Sequence, residues 1–228
     1  MPDNWKTSGP TLSGASCFST LNTLLIPSAD PAWKLLMQSG AIIHCTVGIS
    51  MDRLLREEFG LSDEQLAPVD ALLLDGMPVD EPESTVVPNQ ARLALASGLP
   101  GIAGLAMRKG SPVRGLRSGI THTGREAACP RPGQVSPSLY SLTLPQLAGH
   151  FLARGVIVDS AQLLRYARFA PTDECLLNGR PIRADELAKR LGILPEQNAS
   201  PNSWSDQPDA AHNPPAGSLV LLIAHVMS

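Results

Sequence analysis

Aromatic side chains are scarce in this chain, making up 4% of its 228 residues. With 43% hydrophobic residues a core is still affordable, but it must be filled by Leu, Val, Ile and Ala. Four cysteines, Cys17, Cys45, Cys129 and Cys175, stand far apart with no C-x-x-C pair. That excludes a disulfide framework and reads as separate thiols in a reducing compartment. The five histidines also lack ligand spacing, so neither a structural metal nor a cofactor is expected. A strong excess of charge of one sign is missing too. A net charge of −3 gives no global case for nucleic acid or for an anionic membrane. No apolar run approaches the ~20 residues that cross a bilayer; the longest, Leu219 to Val226, has strand length. Met1 to Pro10 carries neither a basic start nor an apolar stretch, so no secretory signal is expected and the chain reads as cytoplasmic.

Proline and glycine, by contrast, are plentiful, at 21 and 19, and one arrangement of them occurs twice. Leu72-Leu73-Leu74-Asp75-Gly76-Met77-Pro78-Val79 returns as Cys175-Leu176-Leu177-Asn178-Gly179-Arg180-Pro181-Ile182. Asp-Gly and Asn-Gly reach φ > 0 cheaply, so each predicts a tight reversal closing an apolar strand. The proline two residues on cannot donate to a ladder and marks an edge or a departure. The match extends in both directions. Ile49 to Arg56 precedes the first copy and Val158 to Arg165 the second; Arg92 to Leu95 and Leu219 to Ile223 follow them. Strand, helix, strand with turn, then strand is the order in both, which predicts an α+β chain of two modules from an internal duplication.

Residues 1–16 read as a flexible arm, 17–107 as the first module, 108–137 as a connecting stretch, and 138–228 as the second module with a mobile polar loop at 198–217. Phe18 to Ile26 is a candidate strand. Asp30-Pro31 opens a short helix that Gly40 ends, with Trp33 as a packing residue. Along Ala41 to Ile49, Ile43, Cys45 and Val47 alternate onto one face and His44 falls on the other. Ser50 caps a helix whose buried stripe is Leu54, Leu55, Phe59 and Leu61, with Arg53 and Glu57 placed to pair. Residues 124–138, with Gly124, Pro130, Pro132, Gly133 and Pro137, read as a linker.

The first copy resembles the β-grasp, or ubiquitin-like, fold, and within it the sulfur carriers of thiamine and molybdopterin synthesis. The likeness is carried by Leu54-Leu55, by Leu74-Asp75-Gly76-Met77-Pro78-Val79 and by Pro88 to Leu95, and it covers residues 41–101. The same stretch is similar to bacterial proteins of no assigned activity. The carriers end in a free Gly-Gly whose carboxylate is activated. Here Gly98-Leu99-Pro100-Gly101 runs on into more chain and Val226-Met227-Ser228 has no glycine. The resemblance therefore implies sulfur-carrier chemistry only for a processed chain.

Gly98 to His122 is the least ordinary stretch. Six glycines, at 98, 101, 104, 110, 115 and 119, are interspersed with Arg108, Lys109, Arg114 and Arg117. Not one acid lies between Ser84 and Arg125. Glycine amides and cations together suit a phosphate-bearing ligand, with Gly98, Gly101, Gly104, Arg108, Lys109, Arg114, Arg117 and His122 as its contacts. The P-loop order fails, since Lys109 precedes Gly110. The competing reading is a solvated connector, and composition favours it. No nucleophile, base and orienter can be assembled from the sequence, so no catalytic residue is assigned. The expected function is a binding or assembly module that meets another protein, or itself; the alternative is a binding protein or enzyme for an anionic small molecule using residues 98–122.

Overall fold

In the computed structural model, residues 22–27, 31–122, 129–167, 169, 174–187 and 219–225 are described. Among the described residues, ten strands form two five-stranded sheets, and with six short α-helices beside them the chain is α+β.

The first sheet has the order β2 (Ile43–Val47), β6 (Arg131–Ser141), β5 (Ala91–Ser97), β3 (Ala71–Leu74) and β4 (Met77–Pro78). The second has the order β7 (Val156–Asp159), β10 (Leu219–His225), β1 (Asn22–Pro27), β8 (Glu174–Leu177) and β9 (Arg180–Arg183). The pattern of directions is the same in both. An antiparallel outer pair, β2 with β6 or β7 with β10, leads to a parallel central pair, β6 with β5 or β10 with β1. An antiparallel hairpin then completes each sheet.

Both hairpins turn on the paired motif. Asp75 and Gly76 have φ of 50° and 82°, Asn178 and Gly179 51° and 77°, so both central residues are left-handed, as a type I′ turn requires. Each turn also grips the strand beside its hairpin. The Asp75 amide donates to the Arg92 carbonyl at 2.8 Å while its Oδ1 accepts from the Arg92 amide at 2.8 Å. Asn178 does the same with Thr23, at 2.7 and 2.9 Å.

Two strands fall where the sequence predicts otherwise. β1 lies within the stretch expected to build the first module, yet it pairs with β8 and β10 of the second sheet. β6 occupies residues 131–141, the first part of which reads as linker. The register explains how its prolines are accommodated. Residues 131–135 pair with β2, and residues 135–141 with β5. Pro132 and Pro137 thus each have one ladder neighbour, and the absent N–H faces the unpaired side. The first sheet is consequently continuous in sequence, residues 43–141, and sits inside the second, which needs β1 and the strands after residue 155. Ile42, just before β2, and Ile157, in β7, exchange hydrogen bonds of 2.9 and 2.8 Å that join the β2 edge to the β7 edge.

Local signals account for the helices. Ser50 accepts from the Arg53 amide and starts α2 (Met51–Arg53), which continues as a π turn over Leu54–Glu58. Ser62 and Gln65 form a reciprocal capping box on α3 (Asp63–Leu66). Leu54, Leu55, Phe59 and Leu61 are all buried, and Arg53 pairs with Glu57 at 2.5 Å. α1 (Pro31–Lys34) buries Trp33, which packs in the core. α5 (Thr143–Arg154) ties the two sheets together. Its buried stripe, Leu144, Leu147, Ala148, Phe151 and Leu152, recurs at helical spacing and meets β5, β6, β10 and α1. Phe151 meets Phe59 edge to face at 5.2 Å, and Arg154 lies over the Phe59 ring at 5.7 Å. Burying one such Phe is worth about 1.5–3 kcal/mol.

Candidate functional site

The glycine-rich basic segment is folded. After β5 the chain forms α4 (Gly101–Met107), reverses, and makes a 3-10 turn over Arg114–Ile120 that packs against α4. Gly98, at φ 64°, turns the chain off the sheet and donates its amide to Asp70 Oδ2 at 2.9 Å. Gly104 allows a close approach, since a Cβ there would stand 2.5 Å from the Leu99 carbonyl oxygen. Gly101 opens α4.

Two carboxylates from the open end of the β3–β4 hairpin hold this unit. Arg108 Nε lies 3.4 Å from Asp70 Oδ2, and the Lys109 amide donates to the Asp70 carbonyl at 2.7 Å. Arg117, its side chain only 2% exposed, meets Asp80 with Nη2 at 2.6 Å from Oδ1 and Nη1 at 3.1 Å from Oδ2. Its remaining donors go to the Ala106 and Arg108 carbonyls and to Thr121 Oγ1. A guanidinium has five N–H groups, and all five are used here. At the far end the His122 amide donates to the Pro78 carbonyl at 2.9 Å, which covers the outer edge of β4.

The expected ligand contacts therefore separate. Gly98 and Arg108 meet at Asp70, while Arg117 turns into the protein toward Asp80. Lys109 is exposed and has no ion pair among the described residues. The backbone of Arg114 lies in the 3-10 turn, and its side chain is outside the described set. His122 is partly buried, and its Nδ1, like the Ser97 hydroxyl, has no hydrogen-bond partner among the described residues.

Two features here escape a reading of the sequence. Asp70 and Asp80 lie outside the basic segment, although its lack of acids signals that any partners for buried cations must come from elsewhere. Ile102, Leu105 and Leu116 are large and apolar, yet they are 73%, 37% and 74% exposed. Ile102 and Leu105 are three apart and share a face of α4.

Elsewhere the chemistry is muted. Burial and the Glu58 carboxylate push the Cys45 thiol up to about 12, against a smaller opposing effect of Arg154, so the thiolate is not accessible at neutral pH. Burial also lowers His44. His150 Nε2 lies 2.6 Å from the Phe59 carbonyl oxygen and carries the proton that joins them. No group of three or more His, Cys, Asp or Glu among the described residues could hold a metal ion, and none of their helices is long and apolar enough to cross a membrane. No protein-family model, curated protein or solved structure matches the chain.

Proposed function

We propose that the chain is a cytoplasmic binding or assembly module acting through protein–protein contacts, built on two β-grasp-like frames that arose by duplication. The repeated turn, its grip on the neighbouring strand and the common pattern of strand directions support the duplication. The observation that carries the functional reading is the unit of residues 98–122. It is fixed to the sheet by Arg117 and Asp80 and displays Ile102, Leu105 and Leu116 to solvent. Three large apolar side chains exposed on one anchored unit make it the candidate partner surface.

Sheet edges serve this reading less well. The β2 and β7 edges meet each other, and the β4 edge carries His122. Arg180 and Pro181 on β9 have the charge and the proline that blunt an edge. The competing reading, an anionic small molecule held at Gly98 to His122, has two of its arginines already engaged by carboxylates.

The test is affinity capture with the immobilised chain and with Leu116→Asp, beside thermal shifts across nucleotides and phosphorylated metabolites. The reading expects a protein retained by the natural chain and lost with the variant, and no small-molecule shift. A reproducible phosphate-dependent shift with capture unaffected by Leu116→Asp overturns it.

A further inference from the structure

Asn178 is the only asparagine of the chain that glycine follows, and both residues stand exposed in their turn. β1 holds the Asn178 carboxamide at both ends. Its Oδ1 accepts from the Thr23 amide at 2.9 Å, and its Nδ2 donates to Asn22 Oδ1 at 2.9 Å. Gly179 has no side chain, and a Cβ there would meet nothing within 4 Å, so the space around its amide is open. An asparagine before an unhindered glycine amide is the arrangement in which a backbone nitrogen attacks the neighbouring carboxamide. The turn prevents that attack. Ring closure needs the Asn178 Cβ and the Gly179 nitrogen eclipsed about the Cα–C bond. Asn178, at φ 51°, is the first central residue of a type I′ turn, where a ψ of about 30° puts those two atoms nearly opposite.

We infer that Asn178–Gly179 is a latent modification site that β1 keeps closed: when β1 releases the turn, water deamidates Asn178 through a cyclic imide and the release becomes permanent. The Gly179 nitrogen bonds to Asn178 Cγ, the Cγ–Nδ2 bond breaks, and Nδ2 leaves as ammonia with the proton that the Gly179 nitrogen gives up. Water then adds to either imide carbonyl and returns a proton to that nitrogen. One opening gives aspartate; the other gives isoaspartate, with Cβ carried into the main chain. Both products lose the donor to Asn22 Oδ1. Isoaspartate also lengthens the turn by one atom, which the two-residue reversal between Leu177 and Arg180 cannot absorb. Asp75–Gly76 has no amide to lose, so the device is confined to the second copy of the motif. It is independent of the protein-binding reading.

Mass spectrometry of the full chain held at mildly alkaline pH tests this, with the folded protein beside the same chain in guanidinium chloride. Conversion of the Asn178 amide to acid should be slower by about tenfold or more in the folded protein. An isoaspartyl methyltransferase should label the converted chain and not the fresh one. Asn22→Ala, which frees Nδ2, should speed conversion in the folded state and leave the denatured rate unchanged. In the converted fraction the Thr23 amide should exchange with deuterium faster than in the fresh protein. Equal rates in the two states, or no conversion in the denatured chain, overturn the inference. So does conversion that leaves Thr23 protected, or an Asn22→Ala chain, folded by circular dichroism, that converts no faster than wild type. The comparison of folded with denatured chain needs no variant, so it decides the matter even where Asn22→Ala does not fold.

Discussion

Arg117 has the most consequential side chain in the basic segment, because every donor of its guanidinium has a partner inside the protein. Removing it strands Asp80 and two carbonyls. Arg117→Ala should therefore cost about 3–5 kcal/mol in urea unfolding, the range for breaking a buried pair from one side. Arg117→Lys should recover little, since an ammonium cannot reproduce the planar fork. Lys109→Ala, an exposed change, should stay within about ±0.5 kcal/mol. A double-mutant cycle with Asp80→Ala should give a coupling in the range of about 0.5–3 kcal/mol; zero coupling would mean that the pair does not hold the unit. Cys45 offers a second check at this scale. Its folded pKa is raised to about 12, so the folded state keeps its proton where the unfolded thiol loses it. Stability from this group is complete below the ordinary thiol pKa and declines from about pH 9 to 12, by up to about 1.4 kcal/mol per pH unit. Cys45→Ala should flatten that alkaline loss. At neutral pH the exposed Cys129 should react with a thiol reagent in the folded protein while Cys45 stays protected; equal reaction rates would contradict the burial of Cys45.

At the scale of elements, short-range patterns read from the sequence agree with the structure. The alternation of Ile43, Cys45 and Val47 puts all three inside, and both turns use the residues their φ values demand. β6 is hidden because its prolines are acceptable only through a register that gives each half of the strand one neighbour, and register is set by partners distant in sequence. Arg117 escapes for a related reason. Its partner Asp80 lies 37 residues away, and nothing in the intervening chain distinguishes a buried guanidinium from a solvated one. The two turns, similar in backbone, should differ in tolerance. Asp75→Asn keeps the acceptor for the Arg92 amide and should cost under about 1 kcal/mol. Asn178→Asp also keeps its acceptor, but it loses the donation from Nδ2 to Asn22 Oδ1 at 2.9 Å and sets two acceptors face to face. It should cost more than the Asp75 change, by about 1 kcal/mol. Equal costs would indicate that the Asn22 contact contributes nothing.

For the molecule as a whole, the sheet that the sequence assigns to the C-terminal half depends on the N-terminal β1. That strand lies between β10 and β8, and its six residues pair with β10 roughly 200 positions away. A chain starting at Asp30 should lose the second sheet, seen as a loss of strand signal, whereas loss of residues 1–16 alone should leave that signal intact. Such a separation is invisible to periodicity, which reports the face of an element and not its neighbour. The central claim concerns residues 98–122, which form an anchored part of the fold that presents an apolar surface. Residue-resolved hydrogen exchange of the intact chain tests it most directly. The Lys109 and His122 amides donate to Asp70 and Pro78 of the β3–β4 region. Both should be protected in wild type and lose that protection in Arg117→Ala, while β5 and β6 stay protected. Exchange of both amides at the unprotected rate in wild type would contradict the claim and make the segment a solvated connector.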